Sequence, residues 1–456
     1  MRRIWAIAAL TLRGAVRSRI APLLLGVLLV VIAGLPLTIR GDGTLSGEVQ
    51  ILVRYTLGLA LLILSLAALW AGCASVSLEW QSKKLQLVAT KPIHPFELWI
   101  GKWLGLVLLN GTLLALAGGV TAGMLRWRLR EPLADPARRG ELLTDILVAR
   151  RPLVPEPVDV DAAALARLDE ARRLGTLPPE VSPETVFEAI RQALRAEAFS
   201  VAPGGARSWR YPRPGRLDPA HPLSLQFRFS CSTPGPARVA GAWSVRRGES
   251  GALVRVETNA VATTPHILHA PVRDLPPEGL LTVEYRNTDA QAVTVLFPPD
   301  GGLETLARAG AFGPNYARGL LVLFGQLALL AALGLTAGSL FSMPVAAFVS
   351  GFVLLMIQMS GDLESLSARP VALVSHHGDA LFGPHAAVFF QWVLRLLGAA
   401  AAPLRVPDAM ARLTTGILVS WAETGRVLLT HGLVYPLALA GLAAWIMRRR
   451  EMALAG

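Results

Sequence analysis

Six apolar runs, most of them near the twenty residues that a bilayer demands of a crossing helix, constrain this chain more than any other feature. They cover Ile20–Ile39, Tyr55–Val76, Trp103–Met124, Gly319–Leu340, Met343–Met359 and Val427–Met447. Charged residues make up only 17% of the 456 and hydrophobic ones 53%, whereas a soluble chain carries about 25% charge. The expected fold class is therefore an α-helical polytopic membrane protein of about six transmembrane helices. An even number of crossings leaves both termini on one side. Both are rich in arginine (Arg2, Arg3, Arg13 and Arg17 at one end, 448–450 at the other), and the positive-inside bias makes that side the cytoplasm. Arg126, Arg128 and Arg130 follow the third run on the opposite side, at the start of a segment long enough to translocate regardless of charge.

The net charge of +12 does not point to nucleic acid, because the basic residues are scattered among apolar runs without interleaved aromatics. Cys73 and Cys231 are too few for a disulfide framework. Residues 1–19 are no cleavable signal: the apolar stretch between Arg3 and Arg13 is short and no small-residue cleavage site follows. At helical spacing Arg2, Arg3, Arg13 and Arg17 share one arc, and Ile4, Trp5, Ala8, Leu12 and Val16 fill the opposite one. That pattern predicts an amphipathic helix in the membrane interface.

Residues 20–124 hold the first three runs, and 125–315 form an inserted extracytoplasmic α+β domain. Its 140–200 portion is expected to be helical, with Ser182 as an N-cap. From Pro222 the period changes to two: Leu223, Leu225, Phe227 and Phe229 alternate with polar residues, and four more short segments repeat the alternation. Residues 222–300 therefore read as a β-sandwich-like part whose core includes Phe227, Phe229, Trp243, Val256, Val283 and Tyr285.

Residues 316–360 hold the fourth and fifth runs. The 361–426 stretch is expected to be an external interfacial or re-entrant segment, since its apolar part carries Arg395 centrally. The last run and a cytoplasmic tail occupy 427–456. Within 361–426 lies the one metal-like cluster, His376, His377, Asp379 and His385, whose spacing matches no zinc signature. Asn110 and His431 are polar residues inside runs, where such groups line a pathway or hydrogen-bond between helices. No phosphate-binding loop is present; in "GKWLG" the upstream glycine and the hydroxyl after lysine are missing.

The stretch between the second and third runs, 79–102, is too polar for lipid and too patterned for a slack loop. It contains every lysine of the chain (Lys83, Lys84, Lys91 and Lys102) together with Glu79, Glu97, Trp80 and Trp99. Pro92 and Pro95 break any continuous helix, which predicts a short helix ending near Thr90, a turn, and a new start near Phe96. Such a foot protrudes at the cytoplasmic face.

Glu79, Leu85, Leu87, the "TKP" at 90–92 and the Gly101–Lys102 pair resemble the cytoplasmic loop of ABC-2-type transporter permeases. The N-terminal helix, the "FSMPVAAFVSG" turn at 341–351 and the terminal "RRRE" are similar to that family as well. The resemblance covers about 1–124 and 316–456. The glycine that many members carry after the Glu is replaced here by Ser82 and Lys83, and the large insert is absent from simpler members. The resemblance implies a transmembrane subunit of the bacterial inner membrane, not itself an enzyme and without a cofactor of its own. It further implies dimerisation with a second copy or paralogue. ATP would be bound by a separate cytoplasmic ATPase, and its hydrolysis coupled through Glu79, Lys83, Lys84, Lys91, Pro92, Glu97, Gly101 and Lys102 to export of a substrate. Membrane lipids are the remaining partner; nucleic acid is not one.

Three other readings fit the same sequence. The complex could act mechanically on envelope components without moving a solute. A membrane enzyme could use His376, His377 and His385. The chain could also be a passive anchor for its β-rich domain.

Overall fold

The computed structural model describes residues 2–17, 20–38, 45–81, 94–157, 159–175, 183–232, 238–248, 253–273, 275–276, 278–290, 293–298, 302–368 and 384–453. The chain forms two compact units, one of Met1–Leu147 with Ala311–Gly456 and one of Val148–Gly310.

The first unit is helical. Helix α1 (Arg2–Arg17) is followed at 66° by α2, which runs Ile20–Thr38. Among the described residues five helices are long and apolar enough to cross a membrane: α3 (Gly47–Leu78), α4 (Pro95–Arg128), α7 (Phe312–Leu340), α8 (Met343–Gly361) and α11 (Trp421–Arg449). Counting α1 and α2 as one bent span makes six. Each of the five long helices is longer than the apolar run that announced it. A hydropathy window closes at the first charge, but the helix continues wherever its backbone groups stay bonded. Thus α4 starts at Pro95, one residue from the start near Phe96 that the two prolines predict and eight before the apolar run opens at Trp103: His94 accepts from Phe96 N at 3.3 Å and Glu97 accepts from His94 N at 3.4 Å. This reciprocal capping box, with Pro95 in the first turn, satisfies two orphan donors.

Helix α7 is the central stave, with 78% of its apolar window buried against 28% for α8. Its contact with α3 is backbone on backbone. A Cβ on Gly72 would stand 2.8 Å from Leu335 N, and one on Gly338 would stand 2.5 Å from the Cys73 carbonyl oxygen. Small residues that let backbones meet are the usual device where lipid removes the hydrophobic drive between helices. Trp103 adds a hydrogen bond from Nε1 to the Ala328 carbonyl oxygen at 2.9 Å, joining α4 to α7.

Residues 129–147, assigned from sequence to the inserted domain, belong to the helical unit. Leu129, Leu142 and Ile146 pack in the same core as Leu64 and Leu323. In the 361–426 stretch α8 continues to Ala368, α9 runs Pro384–Ala401 and α10 runs Ala409–Thr414.

Among its described residues the second unit carries helices α5 (Val160–Arg173) and α6 (Pro183–Phe199) and three sheets. One four-stranded sheet has the order β1 (Val148–Leu153), β11 (Leu303–Ala311), β4 (Leu223–Phe227), β8 (His266–Ala270). The other has the order β3 (Ala206–Tyr211), β9 (Leu281–Asn287), β6 (Arg238–Arg247), β7 (Val254–Val261). A three-stranded sheet joins Ser200–Val201, Val295–Leu296 and Ser230–Cys231. Both larger sheets face one core around Trp243, whose ring lies 4.7 Å from Phe227 and 5.0 Å from Tyr285. Tyr211 and Thr305 bond hydroxyl to hydroxyl across the sheets at 2.7 Å.

Two expectations are corrected here. Val148–Leu153, inside the stretch expected to be helical, is a strand, because its partner β11 lies far along the chain and no local pattern announces it. Val256 sits on the edge strand β7 and stays half-exposed, whereas Phe227, Phe229, Trp243, Val283 and Tyr285 are core.

Candidate functional site

The patterned stretch 79–102 is the best candidate site, and its described residues are the end of α3's continuation and the start of α4. Glu79 lies in the last turn of α3's continuation to Gln81, with its side chain outside the described residues. Lys83, Lys84, Lys91 and Pro92, and with them the expected helix to Thr90, lie outside the described residues altogether.

From His94 onward the geometry is defined. Three parts of the chain, far apart in sequence, meet here. Glu97 stands 4.0 Å from Arg3 of α1, and His94 Nε2 contacts Arg448 Nη2 near the end of α11. Arg3 is exposed and Glu97 half-buried, and at 4.0 Å the pair is worth on the order of 0.2–1 kcal/mol. Holding both chain ends against the start of α4 is a geometric effect more than an energetic one.

Lysine 102 departs from expectation. The resemblance places it among the coupling residues, yet it is only 4% exposed. Its Nζ donates to the Ser75 carbonyl oxygen at 2.8 Å and lies 3.3 Å from Ser75 Oγ. A buried ammonium must be bonded to offset desolvation, and Ser75 supplies that at the end of α3. Lys102 therefore joins α3 to α4, the helices on either side of the stretch.

Gly101 and Gly105 lie one turn apart on α4. A Cβ on Gly101 would stand 2.6 Å from Ile7 Cβ, and one on Gly105 would stand 2.8 Å from the Ala8 carbonyl oxygen. Helix α1 consequently packs Ile4, Ile7, Ala8 and Thr11 onto α4, while Trp5, Leu10 and Val16 remain exposed. The expected apolar arc of α1 thus divides between a protein-facing stripe and an outward one. Trp99 and Trp103 lie on the same part of α4. They are buried and stacked, with ring centroids 6.3 Å apart.

The remaining candidates do not join this site. Asn110 is buried and donates from Nδ2 to the Leu106 carbonyl oxygen of its own helix at 2.9 Å. His431 is buried in a π-turn, Thr430–Val434, inside α11, where it lies 2.8 Å from Thr430 Oγ1 and edge-on to Tyr435. His376, His377 and Asp379 lie outside the described residues, and His385 is in the first turn of α9 with its side chain likewise outside them. Among the described residues no group of three or more His, Cys, Asp or Glu side chains could hold a metal ion.

Sequence reasoning missed two features of the site. The one-turn spacing of Gly101 and Gly105 was the available signal for the α1 contact. No local signal announced that Arg448 returns to His94.

Compared with family models, curated proteins and solved structures, the chain matches none.

Proposed function

We propose that this chain is the membrane-spanning permease subunit of an ABC-type exporter and that residues 79–102 couple it to a separate cytoplasmic ATPase. In this reading the chain spans the bacterial inner membrane six times, with α1 and α2 forming the first, bent element. Both termini and the foot are cytoplasmic, and residues 148–310 are extracytoplasmic. The observation that carries the reading is the meeting of Arg3, His94, Glu97 and Arg448 at the start of α4. An even number of crossings requires both termini and the foot to share one side.

The physical logic is mechanical. A displacement applied at Glu79, Lys83, Lys84, Lys91 or Pro92 reaches helices already locked together: α3 to α4 through Lys102 and Ser75, α1 to α4 through Gly101 and Gly105, and α4 to α7 through Trp103. A slack connector would absorb the same displacement. The chain works as a dimer with a second copy or paralogue, and the ATP is held by the partner subunit.

The test is co-purification from native membranes with an ABC-type ATPase subunit. Glu79→Ala and Pro92→Ala should insert normally yet lose the ATPase. His385→Ala, remote from the foot in sequence, should retain it. Undiminished co-purification with both foot variants rejects the coupling assignment, and loss confined to His385→Ala moves the functional site to the 361–426 segment.

A further inference from the structure

We propose that a cavity in the helical unit is a binding site for a phosphate-bearing amphiphile of the phospholipid class. The cavity measures 690 Å³, inside the roughly 300–1,000 Å³ range of small-ligand sites. Leu61 of α3, Leu323 and Gln326 of α7 and Gln358 of α8 line it, and the segment before α10 and α10 itself add Arg405 and Arg412.

The two carboxamides make the site specific. Neither Gln326 nor Gln358 has a hydrogen-bond partner among the described residues, and both face this cavity. Each carries two donors and an acceptor. Polar groups in spans face a bundle interior or a ligand path, because lipid cannot satisfy them. Both also lie at one depth. Gln326 precedes the Phe341–Ser342 turn and Gln358 follows it, each at about 22–24 Å along its helix at ~1.5 Å per residue. With that turn at one face of a hydrocarbon core about 30 Å thick, both carboxamides sit within roughly 8 Å of the other face. There a lipid carries its ester and glycerol oxygens.

The charged rim belongs to the same layer. Arg412 pairs through Nη1 with Glu423 at 2.6 Å, which leaves it further N–H donors of its guanidinium. Arg405 lies over Gly361, where a Cβ would come within 2.9 Å of its Nη2. The Asp408 carboxylate is engaged by Ala411 N at 2.9 Å, as the N-cap of α10. Two guanidiniums at the rim and two carboxamides just below them offer donors to a phosphate and its glycerol esters, and Leu61 and Leu323 line the same levels with apolar surface for the start of the acyl chains. A soluble anion would use only the rim. The inference rests on reading these helices as spans but not on the ATPase partner.

The experiment is native mass spectrometry of the full chain, purified in mild detergent and delipidated, titrated with phosphatidylglycerol, diacylglycerol or inorganic phosphate. Phosphatidylglycerol should bind at one per chain and diacylglycerol at least tenfold more weakly. Arg405→Gln, and Gln326→Leu combined with Gln358→Leu, should each weaken phosphatidylglycerol about tenfold, with Arg405→Lys restoring most of it. Thermal unfolding checks that each variant is folded. Leu323→Trp, which fills the cavity and keeps every polar group, should abolish binding and serves as a second route if a polar variant fails to fold. Equal binding of diacylglycerol, or equal binding by all variants, overturns the proposal. Competition by inorganic phosphate at the same concentration would mark a free-anion site and overturn it too. Because co-purification of the ATPase is measured separately, failure here leaves the coupling assignment standing, and the reverse holds as well.

Discussion

Lys102 Nζ donates to the Ser75 carbonyl oxygen at 2.8 Å, so a buried ammonium ties the start of α4 to the end of α3. Hydrogen bonds to charged groups contribute about 1.5–3 kcal/mol. Lys102→Ala is expected to destabilise the chain by a cost of that order. Lys102→Met fills the same volume without a charge to desolvate and should recover part of the loss. Thermal unfolding in detergent reads both. In the same preparations ATPase stimulation should fall for both variants, since neither can grip Ser75.

The contact of α1 on α4 has no room for a side chain at Gly101 or Gly105. Gly101→Leu and Gly105→Leu should each cost about 1–3 kcal/mol by overpacking and should lift α1. Trypsin cleavage at Arg13 and Arg17 in membrane vesicles should accelerate in both. Gly123→Ala, where nothing lies within 4 Å of the added carbon, should leave cleavage unchanged.

Asn315 braces the chain entering α11. Its Nδ2 donates to the Ile417 carbonyl oxygen at 2.9 Å and its Oδ1 accepts from Val419 N at 2.8 Å. Asn315→Ala strands both backbone groups, at about 1–3 kcal/mol each. Hydrogen exchange at the Val419 amide should rise strongly, while amides of β6 stay protected.

In the sheet-containing unit, burial pushes the phenols of Tyr211 and Tyr285 up to about 12, with the Thr305 hydrogen bond opposing this at Tyr211. The folded state thus binds its proton more tightly than an unfolded chain with a phenol near pKa 10. Stability from these groups is full below pH ~10 and is lost as pH rises toward 12. Alkaline unfolding followed by phenolate absorbance at 295 nm should therefore begin above pH ~10. Tyr211→Phe should weaken that dependence and, by removing the inter-sheet hydrogen bond, cost about 0.5–1.5 kcal/mol at neutral pH.

The sequence disclosed most where physics is local. Alternation marked the strands around Phe227, Trp243 and Tyr285, because period two is written into neighbouring residues. Apolar runs marked the long helices, though their ends were cut short at Glu97 and Lys102, charges that the structure satisfies through His94 and Ser75. What escaped was non-local. The β1 strand depends on β11, and the burial of Trp99 and Trp103 depends on α1 and α7. The meeting of His94 with Arg448 joins residues 354 positions apart. For Val256 the alternation gave the face correctly but not its place on an edge strand.

The central claim is that the foot docks on an ATPase, and site-specific photo-cross-linking tests it most directly. A photoreactive residue is placed at Lys84 of the full chain in native membranes. The account expects one dominant adduct, with the mass of a nucleotide-binding ATPase subunit, that disappears in the Pro92→Ala background. Adducts confined to lipid or to a second copy of this chain, or an ATPase adduct unchanged by Pro92→Ala, would contradict it.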